Sequence, residues 1–209
     1  MAELKSTVST TNGDMSLVPM GTGSLSGNTP DNTTTGGNKR GAYSVDWQRL
    51  RNNAIRVASG AYSVISGGRH NQASGSDSTV GGGNLNVIPA PADSATISGG
   101  RFNTAYTLAA SATIGGGESN LVAEFAATIG GGSTNSVVGA YSTIAGGLSN
   151  FLSATLSACI GGQGASDRGV SGAQVWGGYL GNIGGTAGNL QKGDYLLGGL
   201  TTNNTPTIL

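Results

Sequence analysis

Two stretches, Ala-Thr-Ile-Gly-Gly-Gly-Glu-Ser-Asn at 112–120 and Ala-Thr-Ile-Gly-Gly-Gly-Ser-Thr-Asn at 127–135, are copies of one unit. Upstream stand Ser-Val-Ile-Ser-Gly-Gly-Arg-His-Asn at 63–71, Ser-Thr-Val-Gly-Gly-Gly-Asn-Leu-Asn at 78–86 and Ala-Thr-Ile-Ser-Gly-Gly-Arg-Phe-Asn at 95–103. Downstream come Ser-Thr-Ile-Ala-Gly-Gly-Leu-Ser-Asn at 142–150 and a weaker Ala-Cys-Ile-Gly-Gly at 158–162. Aligned on the apolar residue, the anchors are Ile65, Val80, Ile97, Ile114, Ile129, Ile144 and Ile160, at steps of 15, 17, 17, 15, 15 and 16 residues. An Asn follows six residues after each of the first six anchors: Asn71, Asn86, Asn103, Asn120, Asn135 and Asn150. A repeat this regular fixes an architecture of stacked, near-identical units.

Each unit reads as a short strand, a corner and a second strand. The small residue two before the anchor (Ser63, Ser78, Ala95, Ala112, Ala127, Ser142) shares its face of the strand, and the intervening Thr or Val points away. Gly-Gly followed by Asn marks a corner, because both residue types tolerate positive φ and Asn side chains bond well in ladders. A second apolar group then follows, for example Val87–Ile88, Leu121–Val122 and Phe151–Leu152. The expected fold is all-β: a parallel β-roll or β-helix of 15–17-residue coils with two strands and two turns each. The glycine density is too high for helical repeats.

Composition agrees with a thin stack. Glycine is 39 of 209 residues, well over twice the usual share of about 7%, and only 10% of residues are charged. Such a chain cannot fill a broad core with large side chains, but coils that need only their neighbours suit it. Net charge is zero. No basic patch for nucleic acid, signal-peptide core or membrane-spanning apolar run stands out, so neither nucleic-acid binding nor membrane insertion is expected.

The repeat divides the chain. Residues 1–40, rich in Thr, Ser, Asn and Gly, read as an extended N-terminal arm that docks on a partner or larger assembly. Residues 41–59 admit two readings. Trp47, Leu50, Ala54 and Val57 could line a short helix, yet Gly-Ala-Tyr-Ser-Val at 41–45 recurs at 60–64 and places Asn52 where Asn71 falls, as in a degenerate first coil. Trp47 is expected to bury its ring at a junction between chains. Residues 60–162 are the repeat stalk. Residues 163–209 keep an echo of it, in Trp176-Gly177-Gly178 before Asn182 and Leu197-Gly198-Gly199 before Asn203, and read as C-terminal repeats and cap.

The unit Ser/Ala-Thr-Ile-Gly-Gly-Gly-x-x-Asn resembles the head repeat of trimeric autotransporter adhesins and is similar to repeats of bacteriophage tail fibres. That resemblance covers residues 60–162, with a longer period than the adhesin heads. It implies an intertwined or side-by-side homotrimer and an adhesive, structural role. Without a leader or membrane anchor, the expected setting is a virion assembled in a host cytoplasm. There the chain would be a short tail fibre or spike, with residues 1–40 joining other virion proteins and the far end meeting a host cell-surface glycan or protein. A capsid decoration protein or the adhesin head of a cellular surface protein are the alternatives.

Chemistry is sparse, and no enzyme activity and no cofactor is expected. His70 is the single histidine, and it sits in a variable turn beside Arg69. The Gly-Gly-Gly runs at 81–83, 115–117 and 130–132 recur in successive units with no Lys after them, unlike a phosphate loop. Asp77, Asp93, Glu118, Glu124 and Asp167 fall at different repeat offsets, unlike the paired carboxylates of a glycoside hydrolase. The Thr column 79, 96, 113, 128, 143 fits packing between chains better than an ice-binding array. Arg69, His70, Arg101, Phe102 and Leu148 are candidate contact residues, because the repeat does not dictate them.

Overall fold

A two-residue β-branched strand cannot stand alone. When it recurs at nearly constant spacing, its backbone is satisfied by its own copies in the coils before and after. The computed structural model, which describes residues 21–177, has this arrangement: an all-β parallel solenoid of about nine turns, with no helix among the described residues. The first sheet stacks Leu25–Ser26, Val45–Asp46, Val64–Ile65, Thr79–Val80, Thr96–Ile97, Thr113–Ile114, Thr128–Ile129, Thr143–Ile144, Ala158–Cys159 and Gln174–Val175 in chain order. The second stacks Gln72–Ala73, Val87–Ile88, Thr104–Ala105, Leu121–Val122, Ser136–Val137 and Phe151–Leu152.

A third ladder makes the coil three-sided where the repeat suggests two strands. Single-residue parallel bridges run Leu50–Arg69–Asn84–Arg101–Glu118–Ser133–Leu148–Gln163 along the stack. These residues share no chemistry, because only their backbones are constrained, so nothing in the repeat marks them.

The core is one file of side chains per inward column. Ile65, Val80, Ile97, Ile114, Ile129 and Ile144 are fully buried, and the second sheet adds Ala73, Ile88, Val122, Val137 and Leu152. Burying each large aliphatic side chain contributes about 1.5–3 kcal/mol. The small residues two before the anchors are also buried, and Ala or Ser there leaves room for the corner to close.

The seventh anchor differs from the sequence expectation. Ile144 pairs with Cys159, not with Ile160. Cys159 is 2% exposed and Ile160 63% exposed. The segment Ser157-Ala-Cys-Ile-Gly-Gly162 aligns with Ser142-Thr-Ile-Ala-Gly-Gly147, so the last step is 15 residues and the Gly pair, not the Ile, sets the register. Ala158 takes the Thr position, and Cys159 fills the core at the anchor position.

Residues 41–59 form a coil rather than a helix: Val45–Asp46 pairs in parallel with Val64–Ile65. Asn52 does not take the role of Asn71; it is exposed. Residues 21–40 do not extend away as an arm, since Leu25–Ser26 pairs with Val45–Asp46 and adds another strand to the first sheet. Residues 1–20 of the expected arm, and 178–209 of the expected cap, lie outside the described residues.

The corner after each first-sheet strand requires glycine at one place. Gly117 has φ +84°, and a Cβ there would drive into the carbonyl oxygen of Gly132 in the next coil. Gly116, one residue earlier, has open space around a would-be Cβ but a φ of +143°, whereas Gly99, its counterpart in the preceding coil, has the open space without the positive φ. Gly117→Ala is therefore expected to cost about 1–3 kcal/mol, and Gly99→Ala clearly less, in paired urea-unfolding curves. Equal midpoints for the two variants would contradict the close-approach argument.

Candidate functional site

The predicted Asn positions come together as one buried spine. The Asn71, Asn86, Asn103, Asn120, Asn135 and Asn150 side chains are at most 1% exposed. Each Oδ1 accepts the backbone N–H of the Asn in the next coil, from Asn86 to Asn71 at 3.0 Å and so on to Asn150 to Asn135 at 3.1 Å. Each Nδ2 donates to a carbonyl four residues back and to a glycine carbonyl in the next coil. For Asn120 these are Gly116 O at 2.9 Å and Gly132 O at 3.0 Å. The Nδ2 atoms of Asn103, Asn135 and Asn150 also approach the Oδ1 of the preceding Asn. Every amide in the spine is thus saturated, which a polar group at zero exposure demands.

The spine ends differently at its two poles. At the first, Gln48 replaces Asn: its Oε1 accepts the Asn71 N–H at 2.9 Å, and its Nε2 donates to Asn71 O at 2.8 Å and Arg56 O at 2.7 Å. At the last, the backbone N–H of Ala165, which sits where the next Asn would, donates to Asn150 Oδ1 at 2.9 Å.

Sequence reading missed two buried ionic features. Asp46 occupies the anchor position of its coil. Its carboxylate is held by Arg40 Nε at 3.0 Å and Arg51 Nη2 at 3.3 Å, all three side chains being fully buried. A charged residue replaces the anchor only because two guanidiniums and the Gln48 N–H bond its carboxylate, while backbone carbonyls accept from the guanidiniums in turn. Asp167 caps the other pole. Its carboxylate accepts the Ser153 N–H at 2.9 Å, the Ala154 N–H at 2.8 Å, the Ser153 hydroxyl at 2.8 Å and the Gly169 N–H at 3.1 Å. Burial alone would raise the Asp167 pKa. The N–H groups of Ala154, Ser153 and Gly169 outweigh it and hold the carboxyl below the ordinary carboxylate range. The one sequence signal for either was a charge standing where the repeat expects an apolar or small residue.

The candidate contact residues lie in two adjacent columns, exposed except for the half-buried His70. Arg69, Arg101 and Leu148 belong to the bridge ladder, whereas His70 and Phe102 sit in the following corner at φ of 60°. That corner hands its N–H to the preceding coil, from His70 to Leu50 O at 2.9 Å and from Phe102 to Asn84 O at 3.0 Å. Arg101 pairs with Glu118, and its guanidinium lies over the Phe102 ring at 5.3 Å. On the corner before the first sheet, Tyr43 stacks on Tyr62 at 5.0 Å and Phe125 meets Tyr141 edge-on at 5.5 Å. The recurrence of Gly-Ala-Tyr-Ser at 41–44 and 60–63 was the signal for that first pair.

The scattered carboxylates stay separate: Asp93 accepts the Ser76 N–H at 2.7 Å, Glu118 pairs with Arg101, and Asp167 is taken by the cap. Burial pushes the Cys159 thiol up, away from the thiolate form. Among the described residues no group of three or more His, Cys, Asp or Glu side chains could hold a metal ion. No family model and no curated protein matches the chain.

Two predictions follow from the spine and its cap. Asn103→Asp replaces the donating amide with a carboxyl facing the Gly99 and Gly117 carbonyls and Asn86 Oδ1. Only the protonated acid can donate there, so its pKa must rise, and the variant should be more stable near pH 4 than near pH 7, losing stability as pH rises. Thermal melts at both values check this, and equal destabilisation at both would contradict it. Asp167 behaves oppositely: its pKa is depressed, so its contribution is present above about pH 4 and is lost as pH falls further. Amide exchange at Ser153 and Ala154 should accelerate in acid, after correction for intrinsic rates, and Asp167→Asn should remove most of that acid dependence.

Proposed function

We propose that the chain is a structural virion protein: a short homotrimeric fibre or spike of a phage particle that attaches to a host surface and carries out no catalysis. One observation supports it most: between residues 60 and 162, two of the three sides of the solenoid carry no charge. Outward residues of the first sheet are Val64, Thr79, Thr96, Thr113, Thr128 and Thr143. Those of the second are Gln72, Val87, Thr104, Leu121, Ser136 and Phe151. Charged residues between 60 and 162 fall on the bridge ladder and its following corner or on the corner before the first sheet. Long uncharged sides on a narrow rod suit burial against two identical chains. A one-file core leaves a single chain little apolar burial to set against backbone entropy of about 1–2 kcal/mol per residue. Trp47, 47% exposed in the single chain, offers a large anchor for such a junction.

In this reading the N-terminal end faces the particle, the Thr and Val columns are covered by sister chains, and the bridge-ladder residues remain open to a host glycan or protein. Three weak contacts on one rod act together through effective concentration. Sedimentation equilibrium at micromolar concentration should give three times the chain mass of 20.5 kDa, and gold-labelled antibody should mark the tail of the particle. A folded monomer would end the trimer. Labelling over the shell would move the protein to capsid decoration, and absence from purified particles would end the virion reading.

A further inference from the structure

The zero net charge conceals a segregation along the stack. Residues 39–70 hold six basic residues, Lys39, Arg40, Arg49, Arg51, Arg56 and Arg69, against the single acid Asp46. Residues 71–167 hold one basic residue, Arg101, against five acidic ones. Asp46 is already engaged by Arg40 and Arg51. Among the described residues, Arg56 and Arg69 have no ion pair. Buried within this region, Arg56 Nη1 and His70 Nδ1 have no hydrogen-bond partner.

We propose that Arg56, Arg69 and His70 form a binding site for a tetrahedral oxyanion of the sulfate or phosphate class. The backbone brings the three together. Gln48 Nε2 clamps the carbonyls of Arg56 and Asn71 at once, which seats Arg56 beside the corner that carries His70. Arg69 precedes His70 and pairs across the ladder with Leu50, whose carbonyl accepts the His70 N–H. Two guanidiniums offer planar donor pairs that match an oxyanion, and the imidazole adds a third donor when protonated. The neighbouring positions along the ladder, Leu50, Asn84 and Leu85, carry no charge. Burial, Arg69 and Arg56, in that order, push His70 below its ordinary pKa. A bound anion offsets both cations and favours the imidazolium. The inference stands whichever particle or surface the chain serves.

His70 is the single histidine, so its ring proton gives one unambiguous NMR titration curve in the full-length protein. The probe is sodium sulfate against sodium chloride at equal ionic strength, since sulfate keeps its charge across the histidine range. Sulfate should raise the His70 pKa by about 1 unit. An equal pKa in the two salts would overturn the site. Arg69→Gln, an exposed substitution, should start from a higher His70 pKa and lose most of the sulfate response. A full response in folded Arg69→Gln would place the anion elsewhere and overturn the assignment as well. A parallel titration with a sulfated disaccharide shows the source: a stronger response than with inorganic sulfate assigns a saccharide-borne group, and an equal or weaker one assigns the free anion.

Discussion

The hydrogen bond from one coil to the next is the interaction on which everything else depends. A coil of this length has too few side chains to be stable alone, so each must deliver its backbone donors to the following coil at a constant rise. The Asn spine enforces that rise from inside. Its Oδ1 and Nδ2 atoms tie a corner to the following coil and its backbone N–H ties it to the preceding one, in a dry interior where an unmet amide costs about 1–3 kcal/mol. The glycine three residues after the anchor is the other half of the device. Its bare Cα lets the carbonyl of the next coil approach close enough to accept from the amide.

Such a spine has a problem at each end, where the repeating partner is missing. The first pole solves it with a longer amide, Gln48, backed by the buried Arg40–Asp46–Arg51 cluster. The last solves it with a backbone N–H at Ala165 and a carboxylate, Asp167, that gathers the free donors of Ser153 and Ala154. A cationic surplus at one pole and a carboxylate cap at the other give the rod a direction in charge as well as in chain order. The proposed oxyanion site lies at the cationic pole, where burial has left donors unmet.

Outside the spine the constraint is lax. The bridge ladder fixes backbone positions and leaves side chains free, so Arg69, Asn84, Arg101, Glu118, Ser133 and Leu148 vary without disturbing the coil. Side-chain chemistry can change along that column, while the outward columns of the two sheets stay uncharged. This division between a variable side and two plain sides is what the proposed trimeric fibre uses.

The repeat by itself determined the coil period, the inward anchors from Ile65 to Ile144 and the Asn corner, because core packing and amide saturation each admit few residue types. It did not reveal the third ladder, whose residues are held by backbone alone and carry no common side chain. Ile160 misled for a related reason: β-branched residues are common on both faces of a strand, and only the distance back from Gly162, set by the coil geometry, puts Cys159 inside. Asn52 sat at the right offset yet lies exposed, since Gln48 reaches the same Asn71 amide from a nearer position in its coil. Which amide closes the spine, which charge is buried at its pole and which donors are left unmet are decided by how neighbouring coils meet in space, and a single coil's sequence does not contain that information.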